Sequence, residues 1–113
     1  MKPAFDWKSL VQDCGGATRA FDVIYAFRSE VPELADGVRT AIRVHSTGGL
    51  VSSAERLHGA LSAINAPVAA ELAARLTELA ATPEVSPYPV WMKLCAELGR
   101  IEAAMNGVDR RAA

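Results

Sequence analysis

The side chains equipped for chemistry are few. The sequence has two histidines, His45 and His58, and two cysteines, Cys14 and Cys95. A metal site needs His, Cys or carboxylate ligands at short, fixed spacings, and these residues make no such set, so neither a metal nor another cofactor is expected. The cysteines form no spaced motif, and Cys95 falls on an apolar stripe, where a thiol usually fills core space. No glycine-rich phosphate loop follows a strand pattern, and no Gly-x-Ser-x-Gly is present. Reactive and charged groups gather in one block, Glu55-Arg56-Leu57-His58-Gly59. An imidazole is a nucleophile that can carry a phosphoryl group. The carboxylate of the block is already anionic and suits solvation or docking. His45, beside Ser46-Thr47-Gly48-Gly49, reads as a helix-terminal residue favoured by the dipole.

That block lies in the clearest apolar pattern of the chain. Leu50, Ala54, Leu57, Leu61 and Ile64 step by four, three, four and three, the seam of an amphipathic helix. At about 100° per residue, Glu55, Gly59 and Ser62 share the opposite, outward side. His58 falls between seam and outer face, where a neighbouring helix can cover it. Gly59 in mid-helix costs about 1 kcal/mol relative to Ala. Either close helix packing or a partner that needs a flat surface accounts for it.

The other elements follow the same logic. Asp6 caps a short helix that Gly15-Gly16 ends. A long pattern from about Thr18 carries Phe21, Ile24, Val31, Leu34 and Val38 at helical spacing, with Pro32 inside it. Proline removes one bond and crowds the preceding turn, so a kink or a junction of two helices is predicted there. Ser46-Thr47-Gly48-Gly49 is the next break. Asn65 ends the third helix, because Asn tolerates the left-handed conformation, and Pro67 opens the fourth. That helix runs to about Ala81 on a stripe of Val68, Leu72, Leu76 and Leu79. After a proline-rich connection, the last helix spans about Val90 to Met105, with Trp91, Leu94, Leu98, Ile101 and Met105 inward, Gly107 ending it and the residues from about 106 frayed. No segment alternates like a strand. The expected fold is all-α: an up-and-down four-helix bundle with a short extra N-terminal helix, one domain over 1–113. Its core should include Phe21, Ile24, Leu57, Leu61, Leu72, Leu76, Leu94 and Leu98.

Composition agrees. Half of the residues are hydrophobic and only 6% aromatic, and the apolar content is dominated by the strong helix formers Ala and Leu. A net charge of −1 with scattered basic residues speaks against a nucleic-acid partner, which calls for clustered cations. Arg110-Arg111 is too short for a basic tail. No apolar run reaches membrane-span length, and Met1 to Asp6 lacks the apolar region of a signal peptide. A cytoplasmic location and a reducing compartment are expected.

Glu55-Arg56-Leu57-His58-Gly59-Ala60-Leu61-Ser62-Ala63-Ile64-Asn65-Ala66-Pro67 resembles the signature of histidine phosphotransfer (HPt) domains. In that family a phosphorylatable His is followed by x-Leu-Lys-Gly-Ala/Ser, then a hydrophobic residue and Gly before an Ala-Pro helix start. Leu57, Gly59, Ala60, Ile64, Ala66 and Pro67 match without gaps. The flanks, Phe5-Asp6-Trp7 with Gly15-Gly16 and Phe27-Arg28-Ser29-Glu30-Val31-Pro32-Glu33-Leu34, resemble the usual run into the motif. The resemblance implies two-component signalling, with a response-regulator receiver domain or a sensor histidine kinase as partner. It also implies that a receiver would present an acidic, metal-binding pocket. The departures fall at the active positions. Glu55 stands at the phosphoacceptor position, His58 at the lysine position and Asn65 at the helix-ending glycine. The implied protein lacks phosphotransfer at the family position and binds its partner through Glu55, Arg56, His58, Gly59 and Ser62 as adaptor, decoy or inhibitor. Two alternatives stand beside it: His58 as a phosphoacceptor displaced by one turn, and a helical interaction module unrelated to phosphorelays.

Overall fold

The computed structural model describes residues 4–112, with the backbone alone for 109–112. Met1-Lys2-Pro3 and the side chains of Arg110 and Arg111 lie outside the described residues. Five helices and no strand are found among the described residues: α1 (Trp7–Cys14), α2 (Ala17–Arg43), α3 (Thr47–Ala63), α4 (Pro67–Ala80) and α5 (Tyr88–Ala112). Helices consecutive in sequence pack together, most extensively α3 on α4 and α2 on α3. Four core helices in up-and-down order with a short leading helix form the expected bundle.

Local chemistry explains most boundaries. The Ser9 N–H donates to Asp6 Oδ1 at 3.1 Å, capping α1, and Gly15 ends it with φ +78°. Ser46 caps α3 by accepting from the Gly49 N–H at 3.0 Å. Gly48-Gly49 is therefore the first turn of α3 and not a break. Gly49 is required there, because a Cβ would lie 2.8 Å from Ser46 Oγ and 3.4 Å from Ala41 Cβ. His45 (φ +57°) and Asn65 (φ +56°) occupy equivalent left-handed positions. After each, a backbone N–H reaches back into the helix: Ser46 to the Ala41 carbonyl and Ala66 to the Leu61 carbonyl. Asn65 also ties in α1. Its amide donates to Ser9 Oγ (3.1 Å) and Asp13 Oδ2 (2.9 Å), and its carbonyl accepts from the Asp6 N–H.

Two expectations about helix limits are corrected. Helix α2 passes Pro32 as one element, so the junction of two helices, one of the two alternatives expected there, is not found. Pro32 is exposed, so its ring faces solvent, and packing on both sides holds the helix across the missing bond. Helix α5 starts at Tyr88 and continues through Gly107 to Ala112. Glycine stops a helix by turning left-handed, as Gly15 does, and Gly107 does not adopt a positive φ. Val108, 5% exposed, packs beyond Gly107.

Ile24, Leu57, Leu61, Leu76 and Leu94 are buried as expected. Phe21, Leu72 and Leu98 are half-buried against the same core. On α4 the deepest positions are Ala69 and Ala73 together with Leu76, while Val68, Leu72 and Leu79 flank them. Alanine at the seam lets α3 approach α4 closely, which displaces the leucines to the margins. Trp7 and Phe21 join α1 to α2 with ring centroids 4.9 Å apart. Across the bundle, Arg28 of α2 donates a hydrogen bond to Asn106 and lies 3.7 Å from Glu102, both on α5. Both cysteines are free and half-buried; burial raises the Cys95 thiol pKa, with nearby Arg39 opposing the shift.

Candidate functional site

Helix α3 positions the candidate residues. Its seam (Leu50, Ala54, Leu57, Leu61) is buried, so rotation about the helix axis is fixed and the remaining faces are determined. Glu55, Arg56, His58, Gly59 and Ser62 are all exposed on this helix. Residues three and four apart lie about 5–6 Å from one another at Cβ, which groups Glu55 with His58, Gly59 and, one turn back, the exposed Ser52. The sequence reading left Ser52 out. Its signal was the same spacing, three residues before Glu55.

His58 differs from expectation. No neighbouring helix covers it, and it is exposed like Glu55. The buried stripe of α3 is confined to steps of three and four, and a position one residue past Leu57 already falls outside it.

Gly59 separates two explanations. A Cβ built on Gly59 meets nothing within 4 Å, whereas one on Gly37 would meet Ser53 Oγ at 2.8 Å. Close helix packing therefore explains Gly37, at the α2–α3 contact, and does not explain Gly59. The surface around Glu55 is low, formed by Ser52, Gly59 and Ser62, with the carboxylate free to project. Neither Glu55, Arg56 nor His58 makes an ion pair or side-chain hydrogen bond among the described residues. Two other acids differ: Glu97 is buried and held by Arg100 at 2.7 and 3.0 Å, and Asp36 pairs with Arg39 at 3.2 Å.

Beyond Ser62 the surface opens into a groove of about 440 Å³, lined by Asp6, Ser9, Ser62, Asn65, Ala66, Pro67 and Ala70. The bonds between Asn65 and α1 thus border the same groove. Among the described residues, no group of three or more His, Cys, Asp or Glu is placed to hold a metal ion. No helix among them is long and apolar enough to cross a membrane.

Comparison with known proteins gives one positive result. A family model described as the Hpt domain matches residues 22–110, which takes in most of α2 and nearly all of α5 with everything between. No curated protein and no solved structure matches the chain. The match runs through the four bundle helices and the α3 surface just described, and on that breadth the chain belongs to the Hpt-domain family of phosphorelay signalling proteins.

Proposed function

We propose that this chain is an HPt-family docking protein without phosphotransfer at the family position, binding a receiver domain or a sensor kinase through Glu55, Arg56, His58, Gly59 and Ser62. It acts as an adaptor, decoy or inhibitor. The observation that carries the reading is the place of Gly59 on the exposed face of α3, one turn from Glu55. No neighbour requires a glycine there; Gly99 and Gly107 on α5 are equally open, and what marks Gly59 is its position beside Glu55 and His58.

The loss of transfer follows from chemistry. A relay group must take a phosphoryl from an aspartyl phosphate and return it. An imidazole nitrogen does so, releasing a proton as it bonds to phosphorus. Glu55 offers an anion instead. Two unit charges about 4 Å apart at an effective dielectric constant of about 20 repel by about 4 kcal/mol, so a bare carboxylate opposes an acidic pocket. Incubation with phosphorylated receiver domains tests the reading when label transfer and complex formation are scored separately. Complex without label is expected; absence of complex with every receiver and kinase tried rejects it.

A second reading keeps phosphotransfer and uses His58. Its support is the exposure of that imidazole on the same helix. It expects acid-labile, base-stable label from a phosphorylated donor, lost in His58→Gln.

A further inference from the structure

We propose that the outer face of α5 is a self-association surface, on which a second copy of this chain packs its own α5 about a two-fold axis running along the helices. Tyr88, Met92, Ala96, Gly99 and Ala103 follow one another at steps of four, four, three and four, and all are exposed. At about 100° per residue they lie within roughly 80° of one another. They form one uncharged stripe, about 22 Å long at about 1.5 Å per residue. The other bundle helices turn charges to solvent instead: Glu33 and Asp36 on α2, Glu55 and Arg56 on α3, Glu71 and Glu78 on α4.

The head of the stripe carries large apolar groups. Tyr88 is 55% and Met92 50% exposed, and aromatic and methionine side chains are enriched where proteins meet. Below them the face is flat. A Cβ on Gly99 meets nothing within 4 Å, and alanines stand three residues before it and four after. Small residues at a helix contact let two axes approach closely.

The edges of the stripe select the occupant. By helix angle Lys93 and Arg100 border one side and Glu102 the other. A two-fold axis along the helices sets the basic edge of each copy against the acidic edge of the other, with Arg100 and the Glu102 of the second copy about 3 Å apart in height. Charge pairs flanking an apolar seam fix partner and orientation. Both groups can take a further partner: Arg100 is 51% exposed and engages Glu97 through Nη1, and Glu102, 57% exposed, lies 3.7 Å from Arg28. An antiparallel pairing would oppose the two basic edges. A net charge of −1 leaves little long-range repulsion between copies. Helix α3 packs chiefly on α2 and α4, so the pairing leaves Glu55 and Gly59 accessible on both copies and does not depend on receiver docking.

The test is sedimentation velocity of the full chain from micromolar to millimolar concentration, for the wild type, Ala96→Glu and Glu102→Lys. The wild-type mass should rise with concentration towards twice that of one chain. Ala96→Glu should stay at the mass of one chain throughout, with an unchanged circular dichroism spectrum. Glu102→Lys should dimerise about threefold more weakly at low salt. Ala103→Cys should cross-link to its own counterpart under mild oxidation, and the wild type, with Cys14 and Cys95 half-buried, should not. A wild-type mass of one chain at every concentration overturns the proposal, and so does a dimer that Ala96→Glu leaves intact. A dimer lost in Ala96→Glu that never cross-links through Ala103→Cys overturns the two-fold arrangement along the helices.

Discussion

On the function proposed above, Glu55 on the exposed face of α3 stands in for the family's nucleophile, and two substitutions probe that face from opposite sides. Glu55→His restores an imidazole on an otherwise intact surface. Because Glu55 is exposed and unpartnered among the described residues, folding free energy should change by no more than about 0.5 kcal/mol. Weak uptake of label from a phosphorylated receiver is the expected gain. The double variant Glu55→His/His58→Lys should take up label faster than the single one. A lysine places a fixed positive charge near the phosphoryl group, on a longer and more flexible stem than an imidazole has. Two folded, inert variants across a receiver panel would count against the signalling role assigned to α3. Gly59→Ala tests the other half. With nothing within 4 Å of the new methyl, helix propensity alone acts, and stability should rise by about 0.5–1 kcal/mol in urea titrations. A bulkier Gly59→Trp should keep the fold and lose receiver binding. If Gly59→Ala instead destabilises, α3 packs more tightly at that turn than described.

At the scale of the helices, the seam of α3 is the element on which the site depends. Leu57 and Leu61 are fully buried, so Leu61→Ala should cost about 2–5 kcal/mol, read from the urea midpoint at constant m. A loss below about 1 kcal/mol would show that the seam does not set the rotation of α3. This seam was legible in the sequence because its period is strict and both ends carry punctuation, Ser46 and Asn65-Ala66-Pro67. The outward face of Glu55, Gly59 and Ser62 followed from it. What sequence alone did not give has particular causes. The exposure of His58 depends on how narrow the contact with neighbouring helices is, which periodicity does not report. Gly48-Gly49 reads as a break from composition, yet the Ser46 cap and the close approach of Ala41 make it a helix start. On α4, alanines at the contact are invisible to a reading that follows the largest apolar residues. The Asn65 bonds to Ser9 and Asp13 join positions more than fifty apart in sequence, and no local pattern announces them.

For the molecule as a whole, the question is what closes the bundle, because neighbours in sequence account for its most extensive contacts. The α2–α5 side is closed by Arg28, which reaches Asn106 and Glu102, and the last turns of α5 add buried Met105 and Val108. The ion pair is partly solvated, with Glu102 57% exposed, and is worth at most about 1 kcal/mol. Val108 contributes by burial, on the order of 1–2 kcal/mol for a side chain of its size. Shortening the chain to end at Met105 removes Val108 and the Asn106 bond together. The expected loss is about 1–3 kcal/mol in urea unfolding, with amide exchange quickened around Ile24 to Arg28 on α2 and little changed in α3 and α4. The site should survive, since Glu55 and Gly59 sit on α3, whose extensive contacts are with α2 and α4. Receiver affinity should then match that of the full chain at temperatures where both are folded. A loose tail would instead leave stability and exchange unaltered on shortening, and the burial of Val108 argues for the first outcome.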